Sequence, residues 1–442
     1  MAVQEITVNC ARLVVFNQTR IALLFWGGVP VLIMFLMGYS PGLHAGNSYH
    51  IYHYPILALA ISYLFFVHRS YRLKFSFGIF PTVFGWFFLC AILMASIAGG
   101  YGYFSAIHVV FWHLGVMLFW YLFYSRTRRH LMNGIVMGWL SVVIVALAAL
   151  LVGLFIQFVG AFSLGGLTFE QPLYRGFPYQ RLISWFQSPN RTGPFFLYGF
   201  MGCVFLLHWA NSRMHNQFLI ISAIGLAIGI FLSGSRSAIG ALAIFLIIPL
   251  CFSVVSSFHR LFVVLLVTVS LVGIVIATDI GQYLVSNALT GRSWILMEES
   301  SIQIHGRSHV WDRAIEVFNS ASPIQQMLGM GPGTIITASG VSSHSGWITV
   351  FIEEGVVGFL LLFFFITSLV LQSFKRYLRL RQSQDIRLFF LYHASFWMSF
   401  AALNVTTAIF PVPKLDSFVM LMVLVQYGVL NAAVRSKHKI AS

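Results

Sequence analysis

Four polar positions stand out in a chain that has few of them. Arg191 lies in Ser188-Pro-Asn-Arg-Thr-Gly193, Arg236 in the short turn Ser233-Gly-Ser-Arg-Ser237, Arg307 in His305-Gly-Arg307, and His344 in Ser342-Ser-His-Ser345. The planar guanidinium of arginine binds phosphate or carboxylate oxygens two at a time and keeps its charge at any physiological pH. Histidine is the side chain whose ordinary pKa lets it take or give a proton near pH 7. Each arginine also has a plainer reading, an interfacial anchor whose charged end reaches out to water. Arg236 fits that reading least, because its turn holds no acidic neighbour and an arginine close to a membrane needs an anionic partner. Arg175, Arg181, Arg292 and Arg313 sit deeper in their loops, where solvent or nearby acids satisfy them; Arg313, for instance, stands three residues before Glu316.

Other catalytic devices are missing from the sequence. There is no HExxH, no DxD pair to hold a divalent ion for a sugar nucleotide, and no GxSxG nucleophile elbow. No set of His, Asp and Glu has metal-ligand spacing, so no metal site is expected. Gly329-Met-Gly-Pro-Gly333 lacks the preceding strand and downstream acid of a dinucleotide fingerprint and reads as a turn. Cys10, Cys90, Cys203 and Cys251 are scattered, mostly within apolar runs, and read as small packing residues. Most of the 15 histidines, such as His50, His108 and His208, have no partner motif and read as packed or interfacial rings. Whatever chemistry occurs, arginines and a histidine must carry it.

The elements that hold these residues follow from composition. Of 442 residues, 59% are hydrophobic and only 8% charged, whereas soluble domains carry about 25% charged residues. Apolar runs long enough to cross a bilayer recur from end to end. Twelve are expected, near 21–38, 55–67, 79–98, 104–124, 135–160, 193–210, 218–232, 238–257, 261–277, 346–371, 388–409 and 419–434. The first reads as a retained membrane segment rather than a removed leader. The expected fold is therefore all-α, a polytopic integral membrane protein forming one domain over 1–442. With the N-terminus inside, 18 of the 26 basic residues fall in one set of loops, beside only Glu5 and Asp385 among acids. The opposite loops hold the other 8 basic residues and the other 9 of the 11 acids. That asymmetry puts both termini in the cytoplasm and makes the net charge of +15 topological, which argues against nucleic acid as a partner.

Two outside loops are large, 161–192 and 278–345. Long loops are where function concentrates. Within the second, Ser308 to Phe318 places Val310, Trp311, Ala314, Ile315 and Phe318 on one face at helical spacing, an amphipathic helix on the membrane surface or capping the bundle.

The chain resembles the bacterial O-antigen ligases, within the wider O-antigen ligase and polymerase superfamily of membrane glycosyltransferases. His344-Ser345, nine residues, then Gly355-Val-Val-Gly358 is similar to the family's His-(Asn/Ser/Gln)-x9-Gly element. Gly306-Arg307, Trp311, Ala314, Pro323 and Gly329-Met-Gly331 resemble its Gly-Arg…Trp…Pro…Gly-x-Gly run, and Ser235-Arg236-Ser237 its Ser-Arg-(Ser/Thr) turn. Twelve spans with the large periplasmic loop 278–345 before the tenth agree with the family layout over nearly the whole chain. Arg191 departs from the pattern, its Pro-Asn-Arg-Thr context being a loose match.

The resemblance implies transfer of a polysaccharide from undecaprenyl diphosphate to lipid A–core at the periplasmic face of the bacterial inner membrane, in lipopolysaccharide biosynthesis. Its partners would be that lipid-linked donor, that acceptor and membrane lipids, with no cofactor. Arg191, Arg236 and Arg307 would bind the diphosphate in place of a metal. His344 among such cations would stay neutral and act as general base on the acceptor hydroxyl in an inverting displacement. Glu353 and Glu354 are alternative bases, but on a continuous helix Glu353 would face away from His344. Three other functions compete. An O-antigen polymerase would more often show two large basic loops. A protein O-oligosaccharyltransferase usually carries an added soluble part. A transporter would place its polar groups near mid-bilayer rather than at span ends.

Overall fold

The computed structural model describes residues 128–159, 189–207, 213–253, 307–331, 345–380 and 384–406, with isolated positions within 83–95, 162–169, 182–184, 334–335 and 419–430. The expected spans near 21–38, 55–67, 104–124 and 261–277 lie outside the described residues, as do residue 344 and loop residues 278–306.

In chain order the described elements are α1 (Arg128–Val159), a hairpin of β1 (Phe162–Leu164) and β2 (Leu167–Phe169), α2 (Pro189–Leu207), α3 (Arg213–Ser233) and α4 (Arg236–Ser253). After the gap come α5 (Arg307–Ser320), α6 (Pro323–Leu328), α7 (Gly346–Glu353), α8 (Gly355–Arg379) and α9 (Gln384–Thr406). Among the described residues, four stretches are long and apolar enough to cross a bilayer: Ile135–Val159, Met214–Ser233, Gly355–Arg379 and Ile386–Val405. The apolar helices Arg191–Leu207 and Ser237–Phe252 are shorter. Large apolar side chains face outward along α1 (Ile144, Leu151, Phe155, Phe158) and α3 (Ile221, Ile228, Phe231), as hydrocarbon contact requires and water would penalise.

Short turns make neighbours antiparallel. α2 packs between α1 and α3, and α4 against α9, which also packs on α8. Aromatic rings fill the interior: Trp139 tilts on Phe205, and Phe205 on Phe389, with ring centroids 5.2 and 5.7 Å apart. Several polar atoms buried there are paired. Trp139 Nε1 donates to Gln426 Oε1 at 3.0 Å. His393 is held at both nitrogens, receiving Trp397 Nε1–H on Nε2 at 3.2 Å and meeting Ser373 Oγ at Nδ1 at 2.8 Å. Because the Ser373 hydroxyl already donates to Leu369 O at 2.7 Å, Nδ1 must be the donor, and the ring is neutral with its proton there. This histidine is a structural member of the α8–α9 seam.

The described residues are helical apart from one short strand pair in loop 161–192, where Phe162 pairs with Phe169 and Leu164 with Leu167. One expectation needs correction: the expected span 346–371 is not one helix. It breaks at Glu354, and Gly355 has φ +69°, a left-handed value that glycine adopts cheaply. Trp347 and Phe351 both pack on Phe359, at 5.7 and 5.6 Å between ring centroids. In a straight helix residues 347 and 359 would lie about 18 Å apart, so α7 folds back on the first turns of α8 instead of extending its axis.

Candidate functional site

The short turn after α3 is built by its serines. Gly234, at φ +59°, donates its N–H to Phe231 O at 2.9 Å, and Ser233 Oγ donates to Ile230 O at 2.7 Å. Ser235 N–H donates to Ser233 Oγ, and Ser235 O accepts the first helical hydrogen bond of α4 from Ile239 N–H at 3.0 Å. Arg236 is therefore the first residue of α4. This turn is pressed onto the start of α2: a Cβ on Gly193 would collide with Ser235 Cβ and Ser233 Oγ, so only glycine permits the approach. Thr192 beside it is fully buried, while Arg191 is exposed. The starts of α2 and α4, each with an arginine in its first turn, thus meet. The positive ends of two helix dipoles add to the arginine charge, an arrangement suited to an anion.

The start of α7 lies at the same end of the bundle. Phe245 of α4 packs on Tyr392 of α9 at 5.7 Å, and Tyr377 of α8 donates to Phe252 O at 2.8 Å, so α4 and α9 run antiparallel and Arg236 is level with the last turn of α9. There Ser345 caps α7, its side chain accepting from Ile348 N–H at 3.4 Å, while Ser345 Oγ also donates to Asn404 O at 3.4 Å. Trp347 Nε1 donates to Ala401 O at 2.8 Å. The carbonyls left open where α9 ends are thus filled by the residues that begin α7. His344 immediately precedes this cap and lies outside the described residues. Since α7 starts at Gly346, helical periodicity does not fix the angle between His344 and Glu353, and the angular ground for ranking one over the other is removed.

Arg307 opens α5, and α5 with α6 covers the α7–α8 break. Ala314 and Phe318 join Ile335 and Ile352 in a separate small core, and the Phe318 ring packs tilted on Phe351 with centroids 4.6 Å apart. Of the expected apolar face, Ile315 is 45% exposed, so the helix caps the bundle with a narrower stripe than its spacing suggested. The turn at Gly329 is a docking element and not a phosphate cradle, because its N–H groups are taken. Gly329 donates to Gln325 O at 2.7 Å, Met330 to Ile352 O at 3.1 Å and Gly331 to Glu353 O at 2.9 Å. The last two carbonyls are the ones freed by the helix break. Gly329, at φ +100°, and Gly355 approach so closely that a Cβ on either would strike the other's segment.

Glu354 at this junction is fully buried, and neither carboxyl oxygen has a hydrogen-bond partner among the described residues. Burial pushes its pKa well above the usual carboxylate range, and the neighbouring Glu353 charge adds to the rise. No group of three His, Cys, Asp or Glu positioned to hold a metal ion occurs among the described residues.

Sequence reasoning identified the arginines by their motifs but missed Asn404, whose place under Ser345 depends on the α7–α9 contact alone. Residues 221–363, 143 of the 442, match the family model described as O-antigen ligase, a stretch that includes Arg236, Arg307 and His344 and begins after Arg191. No curated protein matches the chain. Residues 221–363 of a chain rich in apolar spans are thus similar to the O-antigen ligase family.

Proposed function

We propose that the protein is an O-antigen ligase, moving polysaccharide from undecaprenyl diphosphate to lipid A–core at the periplasmic face of the bacterial inner membrane, without metal or cofactor. The observation that carries this reading is the meeting of two arginine-bearing helix starts, Gly193 against Ser235, at the end of the bundle where α7 begins. A lipid diphosphate leaving group carries concentrated negative charge, and Arg191 and Arg236 at converging helix N-termini would offset it, with Arg307 closing from the loop. The acceptor hydroxyl oxygen attacks the anomeric carbon, the bond from that carbon to the diphosphate oxygen breaks, and the lipid diphosphate departs with the electron pair. The hydroxyl proton passes to neutral His344. One displacement inverts the anomeric centre.

A strain lacking the protein should make lipid A–core without O-antigen while lipid-linked polymer accumulates. Single repeat units attached to the core would instead identify a polymerase, and unchanged lipopolysaccharide with an unglycosylated protein would identify a protein glycosyltransferase. Purified protein should transfer glycan in excess chelator. Loss of transfer that one added divalent cation restores would overturn the metal-free mechanism.

A further inference from the structure

The short helix α6 carries an apolar face that is left exposed. Its start is set by a capping box, in which Gln325 N–H donates to Ser322 Oγ and Ser322 N–H donates to Gln325 Oε1. Gln326 Nε2 donates to Phe318 O at 3.1 Å and to Asn319 O at 3.3 Å, filling carbonyls left open where α5 ends. Both glutamine side chains are thus taken up by the cap and by α5. No residue of α6 is buried. Ile324 is 66% exposed and Met327 51%, and with exposed Pro323 they share one side of the helix by their spacing.

Depth decides what meets that face. Met327 O lies so close to Gly355 that a Cβ there would strike it, and Gly355 is the first residue of the membrane-length stretch Gly355–Arg379. Ile324 stands three residues before Met327, at most about 4.5 Å away along the axis. The headgroup layer on each side of the hydrocarbon is about 5 to 8 Å thick. The face therefore falls within that layer or at its inner edge, whichever way the short axis points. Composition agrees: no Asp, Glu, Lys or Arg occurs between Glu316 and Glu353, whereas exposed Asp312, Arg313 and Glu316 mark the side of α5 that meets water. A protein partner fits poorly, because three side chains offer far less than the roughly 800 Å² that a stable interface takes from each side.

We propose that α6 is an interfacial anchor, with Ile324 and Met327 entering the boundary between headgroups and acyl chains of the leaflet at this end of the bundle. Interfacial helices seat their apolar face about 5 to 10 Å into that boundary. The depth of α6 is held by Met330 and Gly331 N–H on the carbonyls of Ile352 and Glu353. The anchor thereby fixes α5, and Arg307 that opens it, relative to the lipid surface. None of this depends on the chemistry of the site.

The test uses the unaltered full-length chain in nanodiscs of phosphatidylethanolamine and phosphatidylglycerol, doped with a phosphatidylcholine that carries a diazirine on its acyl chain beside the carbonyl. After irradiation, lipid adducts are mapped residue by residue by mass spectrometry. Leu360 of α8, 43% exposed and about 7.5 Å farther into the bilayer than Gly355, is the positive control. Adducts should form on Ile324 and Met327 at a yield comparable to that on Leu360, and the Asp312–Glu316 stretch of α5 should lack them. Labelled Leu360 with unlabelled α6 overturns the proposal, and a face covered by a second copy or by another protein gives that same result. Equal labelling of α5 and α6 also overturns it, since the loop helices would then lie on the membrane together. The double variant Ile324→Asp, Met327→Asp should lose the α6 adducts while Leu360 keeps its own; adducts retained on α6 would contradict an apolar anchor. Should that variant misfold, the map of the unaltered chain still decides.

Discussion

Arg191 and Arg236 stand in the first turns of two helices whose starts touch, and this juxtaposition makes a difference between arginine and lysine measurable. A lysine keeps the charge but presents a single ammonium in place of a planar fork, so bidentate contact with a diphosphate is lost. Arg236→Lys should therefore weaken binding of the lipid diphosphate and slow transfer together, and Arg191→Lys should do the same. Residues that merely reach out to the interface would tolerate lysine, so unchanged donor binding in both variants returns them to that plainer role. His344→Ala should behave differently, losing about 10² to 10⁴ in turnover with donor binding kept, the range typical of an acid–base group. Lost binding with little further defect in transfer would make it a diphosphate ligand instead. At this scale the arginines were legible because motif and turn are local in sequence. Asn404 was not, because its place under Ser345 arises only through the contact of α9 with α7, which joins residues 59 positions apart in the chain.

Among the elements, the junction of α6, α7 and α8 couples the loop helices to the membrane bundle. Its hinge was hidden for a physical reason. Residues 346–371 form one apolar run, and a glycine inside such a run is ordinary in membrane helices. Only the backbone of Gly329, lying against Glu354 and Gly355, gives the break its partners for the freed carbonyls. The hairpin at Phe162–Phe169 was legible in principle, from Gly-Gly between short β-prone segments, but three-residue strands fall below the length at which alternation can be read. Glu354 makes the junction sensitive to pH. Its carboxyl pKa is raised on folding, so the folded chain holds a proton that the unfolded chain, at an ordinary 4.5, has released. Where the folded state binds more protons, stability falls as pH rises, from near 4.5 up through the folded pKa. Glu354→Gln removes that titration. It should flatten the decline in thermal stability as pH rises above 4.5 and leave the variant more stable than its parent once the carboxyl ionises. Parallel melting curves for the two proteins across that range would contradict this.

For the molecule as a whole, packing groups the helix ends into two sets, and the order of charges gives the expectation of which set faces the cytoplasm. The contacts put the starts of α2, α4 and α7 and the end of α9 at one end. The ends of α4 and α8 lie at the other, where Tyr377 bonds to Phe252 O and Arg387 stacks over the Tyr377 ring at 4.3 Å. That second end carries Lys375, Arg376, Arg379 and Arg387, with Arg213 at the start of α3, which is where a count of basic residues by loop places the cytoplasm. Reporter fusions can therefore be placed with a definite expectation. Alkaline phosphatase, active only when exported, should be active when joined at residue 310 in α5 and inactive when joined at residue 380 after α8. A cytosolic reporter at the same two sites should give the opposite pattern. Activity at 380 with none at 310 would invert the bundle, put the converging arginines on the cytoplasmic side, and remove a periplasmic donor site along with the ligase reading built on it.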